Sequence, residues 1–316
     1  MSGIEPKQLK VRSHHIEISV LDYGNEGAPP MLLVHGMRDL AWSLDTVAQH
    51  FRDRFRVVAM DQRGHGDSDH VGYYAMSHFV IDVRQVVLGL GLERPVLLGH
   101  SFGGEVVAQF AGLFPEVPAA CVLLEGLGPP PWEGEGSREA GLFWARSAIE
   151  ALDGLELRPR GVADLDAATE RVRRNHPGLD AARASFLAER GTRPAGEEEG
   201  HAGGLVWKWD PFLRTSWGSF NFQQVEECWK RIECPTLAVN GGASGEFWRR
   251  DMGGAKRGGE AESYLPADEL QRRLDCFSDI ECTEVPGAGH MIHFDAPDAV
   301  NRAIDDFVRA RGLGRE

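Results

Sequence analysis

The hexapeptide GHSFGG at residues 99–104 constrains this chain more than any other stretch. The apolar run Val96-Leu97-Leu98 precedes it, and helical character follows from Phe102 to about Phe114. Gly99-His100-Ser101-Phe102-Gly103 is a G-x-S-x-G pattern, a weak signal alone but a strong one between a strand and a helix, where it reads as a nucleophile elbow. A sharp strand-to-helix turn leaves no room for neighbouring side chains, so glycines flank Ser101 and the hydroxyl is lifted above the sheet. The N–H of Phe102, at the helix N-terminus, is aimed toward a developing oxyanion.

The sequence around the elbow supplies the sheet it needs. HHIEISVLDYG alternates like a strand, and short apolar runs recur at 31–34, 56–60, 96–99, 120–125, 235–239 and 280–285. Residues 77–90 read as an amphipathic helix, with Phe79, Val80, Val83, Val86, Val87 and Leu90 at three- and four-residue spacing and Ser77 placed to cap it. A last helix is expected over 297–311. Apolar strands alternating with helices imply an α/β fold whose mostly parallel sheet is covered on both faces. Functional groups in such sheets collect at the carboxyl ends of the strands, where His35, Asp61, Ser101 and Glu125 fall.

The alternation breaks after GLGPPP (126–131). From Trp132 to about Arg231 the chain reads as helices and loops with no clear strand. Two helices are separated at Pro177-Gly178, and 192–204 reads as a polar loop whose Glu run is a solvated surface. Six of the eight tryptophans (Trp132, Trp144, Trp207, Trp209, Trp217 and Trp229) fall here. Their density fits ordinary packing together with an apolar lid over a pocket. The expected organisation is a core of 1–128 and 233–316 with an inserted helical cap at 129–232.

Length and composition agree with one large core plus an insertion: 316 residues, 42% hydrophobic. A formal net charge of −14 argues against nucleic acid and anionic membrane as partners. Five cysteines without a CxxC pair suggest reduced, mostly buried thiols. No apolar signal core opens the chain and no run of about 18 apolar residues occurs, so a cytoplasmic location is expected. The assembly state stays open, a homodimer included.

A serine hydroxyl is inert at neutral pH without a base. The candidate is His290 in PGAGHMIHFDAP, on a glycine-rich loop after the last strand; His293 reads as a pocket or structural residue. The second oxyanion donor is expected from the N–H of Met37, with His35-Gly36 shaping the turn and His35 organising the loop.

LLVHGM, MDQRGHGDSD, GHSFGG and VPGAGHMIHFDAP occur in an order and spacing that resemble the α/β-hydrolase superfamily, over about residues 15–128 and 233–311. The resemblance implies a mostly parallel eight-stranded sheet, a Ser-His-acid triad, a loop-built oxyanion hole and a variable cap where the helical insertion lies. It makes GHGDSD a structural loop, with Asp61 and Asp67 in supporting roles. His100 would pack within the elbow, and Glu105 would suit the dipole of the following helix.

The triad acid is less direct. In most of the superfamily it stands about three residues past the first loop glycine after the post-cap strand, a position that falls on Ser244, with Glu246 two residues on. A second arrangement, seen in one branch of haloalkane dehalogenases and in some lactone-cleaving relatives, moves it to the end of the strand after the nucleophile helix. That residue is Glu125. A carboxylate ending a buried strand is costly unless it is paired or hydrogen-bonded. Glu125 is favoured, Glu246 is the alternative, and a Glu125 satisfied only by loop N–H groups stays open.

Ser101 as nucleophile implies an acyl-enzyme, hence an ester, lactone, thioester or activated amide as substrate. Dehalogenases and epoxide hydrolases that resemble this fold use an aspartate at the elbow, which Ser101 is not. C–C bond cleavage beside a ketone and acyl transfer to an acceptor other than water would use the same triad. No cofactor is implied, and no metal: the histidines lack H-E-x-x-H or comparable spacing. The cap suggests a small, mainly apolar substrate. The non-enzymatic alternative is a ligand-binding or signalling protein on the same fold.

Overall fold

The computed structural model describes residues 3–130, 142, 145–146, 149–150, 159–201, 203–219, 221–251 and 265–314. Its strands are β1 (Lys7–Ser13), β2 (Ile16–Asp22), β3 (Pro30–Val34), β4 (Arg56–Met60), β5 (Val96–His100), β6 (Ala120–Leu124), β7 (Gly161–Val162), β8 (Thr192–Pro194), β9 (Leu205–Trp207), β10 (Thr236–Gly241) and β11 (Ile280–Val285). Eight of them form one sheet in the order β1-β2-β4-β3-β5-β6-β10-β11. The β1–β2 and β2–β4 pairs are antiparallel, and from β4 to β11 every pair is parallel.

The expected sheet is therefore present, with one strand more at its edge than the sequence pattern revealed. β1, KQLKVRS, is mostly exposed and carries two lysines, a composition that blunts an edge strand and hides its periodicity. It turns into β2 through His14, at φ 53°.

The helices are α1 (Asp45–Phe51), α2 (Met76–Gly89), α3 (Phe102–Leu113), α4 (Leu165–Asn175), α5 (Ala181–Gly191), α6 (Phe222–Trp229), α7 (Gly245–Asp251), α8 (Ala267–Leu274), α9 (Ile292–Asp295) and α10 (Pro297–Ala310). Alternate side chains of each central strand enter opposite cores. Leu32, Val34, Leu97, Cys121 and Leu123 pack with Phe79 and Val83 of α2 and Val106 of α3. Leu33, Leu98, Val122 and Leu124 pack with Phe51 of α1 and Ile304 and Phe307 of α10. Burial on both faces explains why these strands read as continuous apolar runs rather than alternating ones. α2 begins one residue before Ser77, with Ala75 at its N-cap, and the Tyr74 N–H just before it donates to Thr215 Oγ1 at 2.9 Å.

The insertion is not purely helical. β7, β9 and β8 form a small antiparallel sheet, and strands of two or three residues leave no readable period. α4 and α5 share a small core of Ala168, Val172, Ala184, Leu187 and Ala188 with Phe294. Within the stretch read as a polar loop, Glu199 is held bidentately by Arg193 at 2.6 and 2.8 Å. The insertion is tied to the core where Tyr74 Oη donates to Asp210 at 2.5 Å and Arg183 donates to Asp45 at 3.2 Å. Trp229 serves the main core, stacked on Phe277 at 5.4 Å, rather than a lid. Trp207 and Trp209 are half-buried, and Trp132 and Trp144 lie outside the described residues.

Candidate active site

The carboxyl ends of β5, β6 and β11 bring three side chains together. Ser101 follows β5 at φ 51°, ψ −119°, a conformation that an L residue holds only when its surroundings impose it. The close approach at the elbow demands glycine on both sides. A Cβ on Gly99 would lie 2.3 Å from the Gly103 carbonyl oxygen, and one on Gly103 would lie 2.3 Å from that of Val34. Glu125 follows β6 and also has positive φ, 52°. Its N–H donates to the Val239 carbonyl at 2.9 Å, just as the Ser101 N–H donates to Leu124 at 2.8 Å.

His290 arrives from the loop after β11. Ser101 Oγ donates to His290 Nε2 at 2.9 Å, and His290 Nδ1 donates to Glu125 Oε2 at 3.0 Å. The tautomer that lets Nε2 accept from Ser101 puts the ring proton on Nδ1, facing Glu125. The second carboxylate oxygen, Oε1, accepts the Gly241 N–H at 2.5 Å. Burial pushes the Glu125 carboxyl up, to about 8, against the pull of the Gly241 N–H and of the nearby Ser244 and Trp248 side chains. A carboxylate this reluctant to carry charge gains strongly from a cation forming beside it, which is what an imidazole becomes when it takes a proton.

Ser244 occupies the usual acid position and is buried beside Glu125, donating from Oγ to the Gly241 carbonyl at 2.9 Å. Glu246 is exposed in the first turn of α7. The stretch after β10, which reads as a loop, thus becomes a helix that supplies aromatic rings. Phe247 is stacked on the His290 ring and Trp248 meets it edge-on. Neither residue was visible as a site residue in the sequence; the signal available was the pair Phe247-Trp248 directly after a strand end.

The loop after β3 runs along the elbow, and a Cβ on Gly36 would lie 3.4 Å from Ser101 Cβ. Met37 is half-buried in the turn that follows. His35 organises this loop. Its Nδ1 donates to the Gly36 carbonyl at 2.7 Å and its Nε2 accepts the Gln62 N–H at 3.0 Å. Burial pulls the His35 ring down to about 4, so it stays neutral. Phe102, the other expected donor, opens α3 directly after Ser101.

The remaining candidates are structural. Asp61 accepts the N–H groups of Ala41 and Asp67 at 2.7 and 3.0 Å, and Asp67 pairs with Lys208 of the insertion at 2.8 Å. His100 is buried in the elbow and donates from Nε2 to the His290 carbonyl at 2.9 Å. His293 is buried with its ring 4.5 Å from that of His100. Burial keeps both rings neutral, His100 pulled down to about 3. Glu105 departs from its expected role as a charged dipole partner. It is buried, both oxygens lack a partner among the described residues, and burial lifts it to about 8 despite Arg273 nearby. A neutral acid does little for a helix dipole. Among the described residues, one group of three side chains, Asp39, His100 and His293, converges closely enough to hold a metal ion.

Known proteins share this architecture. Over 312 residues the chain is 30% identical to human serine hydrolase-like protein 2, covering 96% of this chain and 94% of the relative. It is 23% identical to a putative esterase/lipase of Haemophilus influenzae over 89% of this chain and 83% of that one. Among solved structures it superimposes on the thioesterase domain from the curacin biosynthetic pathway with a TM-score of 0.77 and 24% identity, over 96% of this chain and all of that one. The model of the alpha/beta hydrolase family matches residues 31–303, from β3 into α10, and the chain belongs to that family.

Proposed function

We propose that this hydrolase cleaves an ester, lactone or related acyl bond of a small, mainly apolar molecule through an acyl-enzyme on Ser101. The observation that carries this reading is the unbroken relay Ser101 Oγ, His290 Nε2, His290 Nδ1, Glu125 Oε2, with links of 2.9 and 3.0 Å. In the first half-reaction Ser101 Oγ bonds to the acyl carbon while its proton passes to His290 Nε2. Glu125 stabilises the imidazolium, and the N–H groups of Met37 and Phe102 receive the oxyanion. Collapse of the tetrahedral intermediate breaks the bond to the leaving oxygen, which takes the proton from His290. Water then repeats the sequence and frees the acid.

Several features support the reading. Met37 has no hydrogen bond to another described residue, so its N–H has no competing acceptor there. Phe247 and Trp248 set apolar surface beside the relay, which suits an apolar acyl or alcohol portion. The esterase and thioesterase names of two similar proteins point to the same bond class. All five cysteines are free thiols, in keeping with a reducing compartment such as the cytoplasm. No described helix is long and apolar enough to cross a membrane.

The test is fluorophosphonate labelling of the folded protein and its Ser101→Ala variant, followed by nitrophenyl esters of graded chain length. Labelling confined to Ser101, with turnover of short and medium apolar esters, is expected. Folded protein that resists the probe, or that turns over only charged or polymeric substrates, would overturn the proposal.

A further inference from the structure

Behind the elbow, three polar side chains face one another with their lone pairs uncommitted. The ligand atoms of Asp39, His100 and His293 all lie within 4.8 Å of one another. His100 has spent its Nε2–H on the His290 carbonyl, so its Nδ1 offers a bare lone pair, and that atom is buried without a partner. Neither ring nitrogen of His293 has a partner among the described residues, although the residue is only 1% exposed. Asp39 Oδ2 is likewise buried and unpaired. Gly36 leaves the lone pair of His100 open, since a Cβ there would stand 2.9 Å from Nδ1.

Unpaired buried polar atoms are costly, and four in one place call for a shared partner. Neither Nδ1 of His100 nor an ionised Asp39 can donate, and the single N–H of a neutral His293 serves one acceptor, so one is left over. A cation satisfies both, together with either nitrogen of His293. Two neutral imidazoles and one carboxylate suit a borderline divalent ion of the first transition row rather than Ca²⁺ or Mg²⁺, which prefer oxygen. Ligands about 2 Å from such an ion stand roughly 3–4 Å apart, so small side-chain rotations would close the group around it.

We propose that Asp39, His100 and His293 form a binding site for a divalent transition-metal ion directly behind the nucleophile elbow. The ion completes the hydrogen-bond-starved cluster and fixes the His100 ring. That ring holds the His290 carbonyl, so occupancy steadies the loop that carries the base. Three protein ligands leave at least one coordination position for water or another exogenous group.

Chelator-treated protein titrated with Zn²⁺ by calorimetry tests this, with Co²⁺ as a spectroscopic probe and thermal melting as a second readout. The expected result is one Zn²⁺ per chain, visible d–d bands with Co²⁺, and a melting temperature that rises with Zn²⁺ because the folded state alone binds it. Asp39→Asn and His293→Gln should each weaken binding at least tenfold, and the near-isosteric Asp39→Asn keeps the test open if His293→Gln fails to fold. Cys282→Ser and a double alanine variant of the exposed His14 and His15 should bind as before. Absence of saturable binding, which would mean that water bridges the cluster, overturns the proposal. So does binding that survives Asp39→Asn or vanishes in either control variant.

Discussion

The ring of Phe247 lies flat on the ring of His290, with centroids 4.0 Å apart and planes 11° from parallel. Trp248 meets the same imidazole edge-on at 5.1 Å and 75°. Both come from α7, the segment that follows the strand where relatives most often keep the triad acid. In the proposed relay the carboxylate beside His290 is Glu125, and α7 supplies aromatic contact to the same ring. An aromatic face favours an imidazolium over an imidazole, and the stack resists rotation of the ring away from Ser101.

Phe247→Ala should therefore lower kcat/KM on a nitrophenyl ester by roughly fivefold, the equivalent of about 1 kcal/mol of cation–π stabilisation. The loss should fall on kcat more than on KM, because the charge forms only on the way to the transition state. Phe247→Leu keeps bulk without the π face and should fall between. Steady-state kinetics that change less than twofold in the alanine variant would remove Phe247 from any positioning role.

Glu125→Gln replaces the carboxylate on His290 Nδ1 by an amide that presents either an N–H or a neutral oxygen. The imidazolium loses its counter-charge, and the tautomer needed by Ser101 loses its anchor. A fall in kcat on the order of 10³–10⁴ is expected. Glu246→Gln, at an exposed position, should stay within about twofold. Reversed effects in side-by-side assays would move the acid to Glu246.

Much of this site is legible in the sequence because its signals are local. The elbow at Ser101 is written in adjacent residues, glycines forced by approach to the Val34 and Gly103 carbonyls. Glu125 is legible as a charge at the end of an apolar strand, but its partner is 165 residues away, and only the β6-β10-β11 order makes them neighbours. Phe247 and Asp39 were hidden for a different reason. Nothing in GGASGEFW shows that the backbone will coil into α7 and turn its rings onto a distant loop. For Glu105, helix position suggests a dipole partner, whereas burial, set by tertiary packing, raises its carboxyl to about 8.

Gly103→Ala tests how tightly the elbow is built. The added methyl would lie 2.3 Å from the Val34 carbonyl oxygen and 2.4 Å from that of His35, both backbone atoms that cannot swing aside. Relief requires α3 to shift off β3, at a cost of about 1–3 kcal/mol or more. A lower melting temperature should accompany slower fluorophosphonate labelling of the still-folded protein, because the same shift displaces Ser101. Labelling at the wild-type rate would show that the elbow tolerates the displacement.

Glu105 makes stability depend on pH with a definite sign. Its carboxyl is raised by burial from 4.5 to about 8, so between those values the unfolded chain has released a proton that the fold retains. Folding is then opposed by rising pH, by about 1.4 kcal/mol per unit across that window, and the effect is absent below it. Glu105→Gln holds a neutral amide at the same place and removes this term. Urea midpoints of both proteins between pH 5 and 9 isolate it, since every other titrating group is shared and cancels in the difference. The variant should gain on the wild type as pH rises and level off above about 8. Parallel curves would mean that Glu105 is charged in the fold, with Arg273 close enough to hold it so.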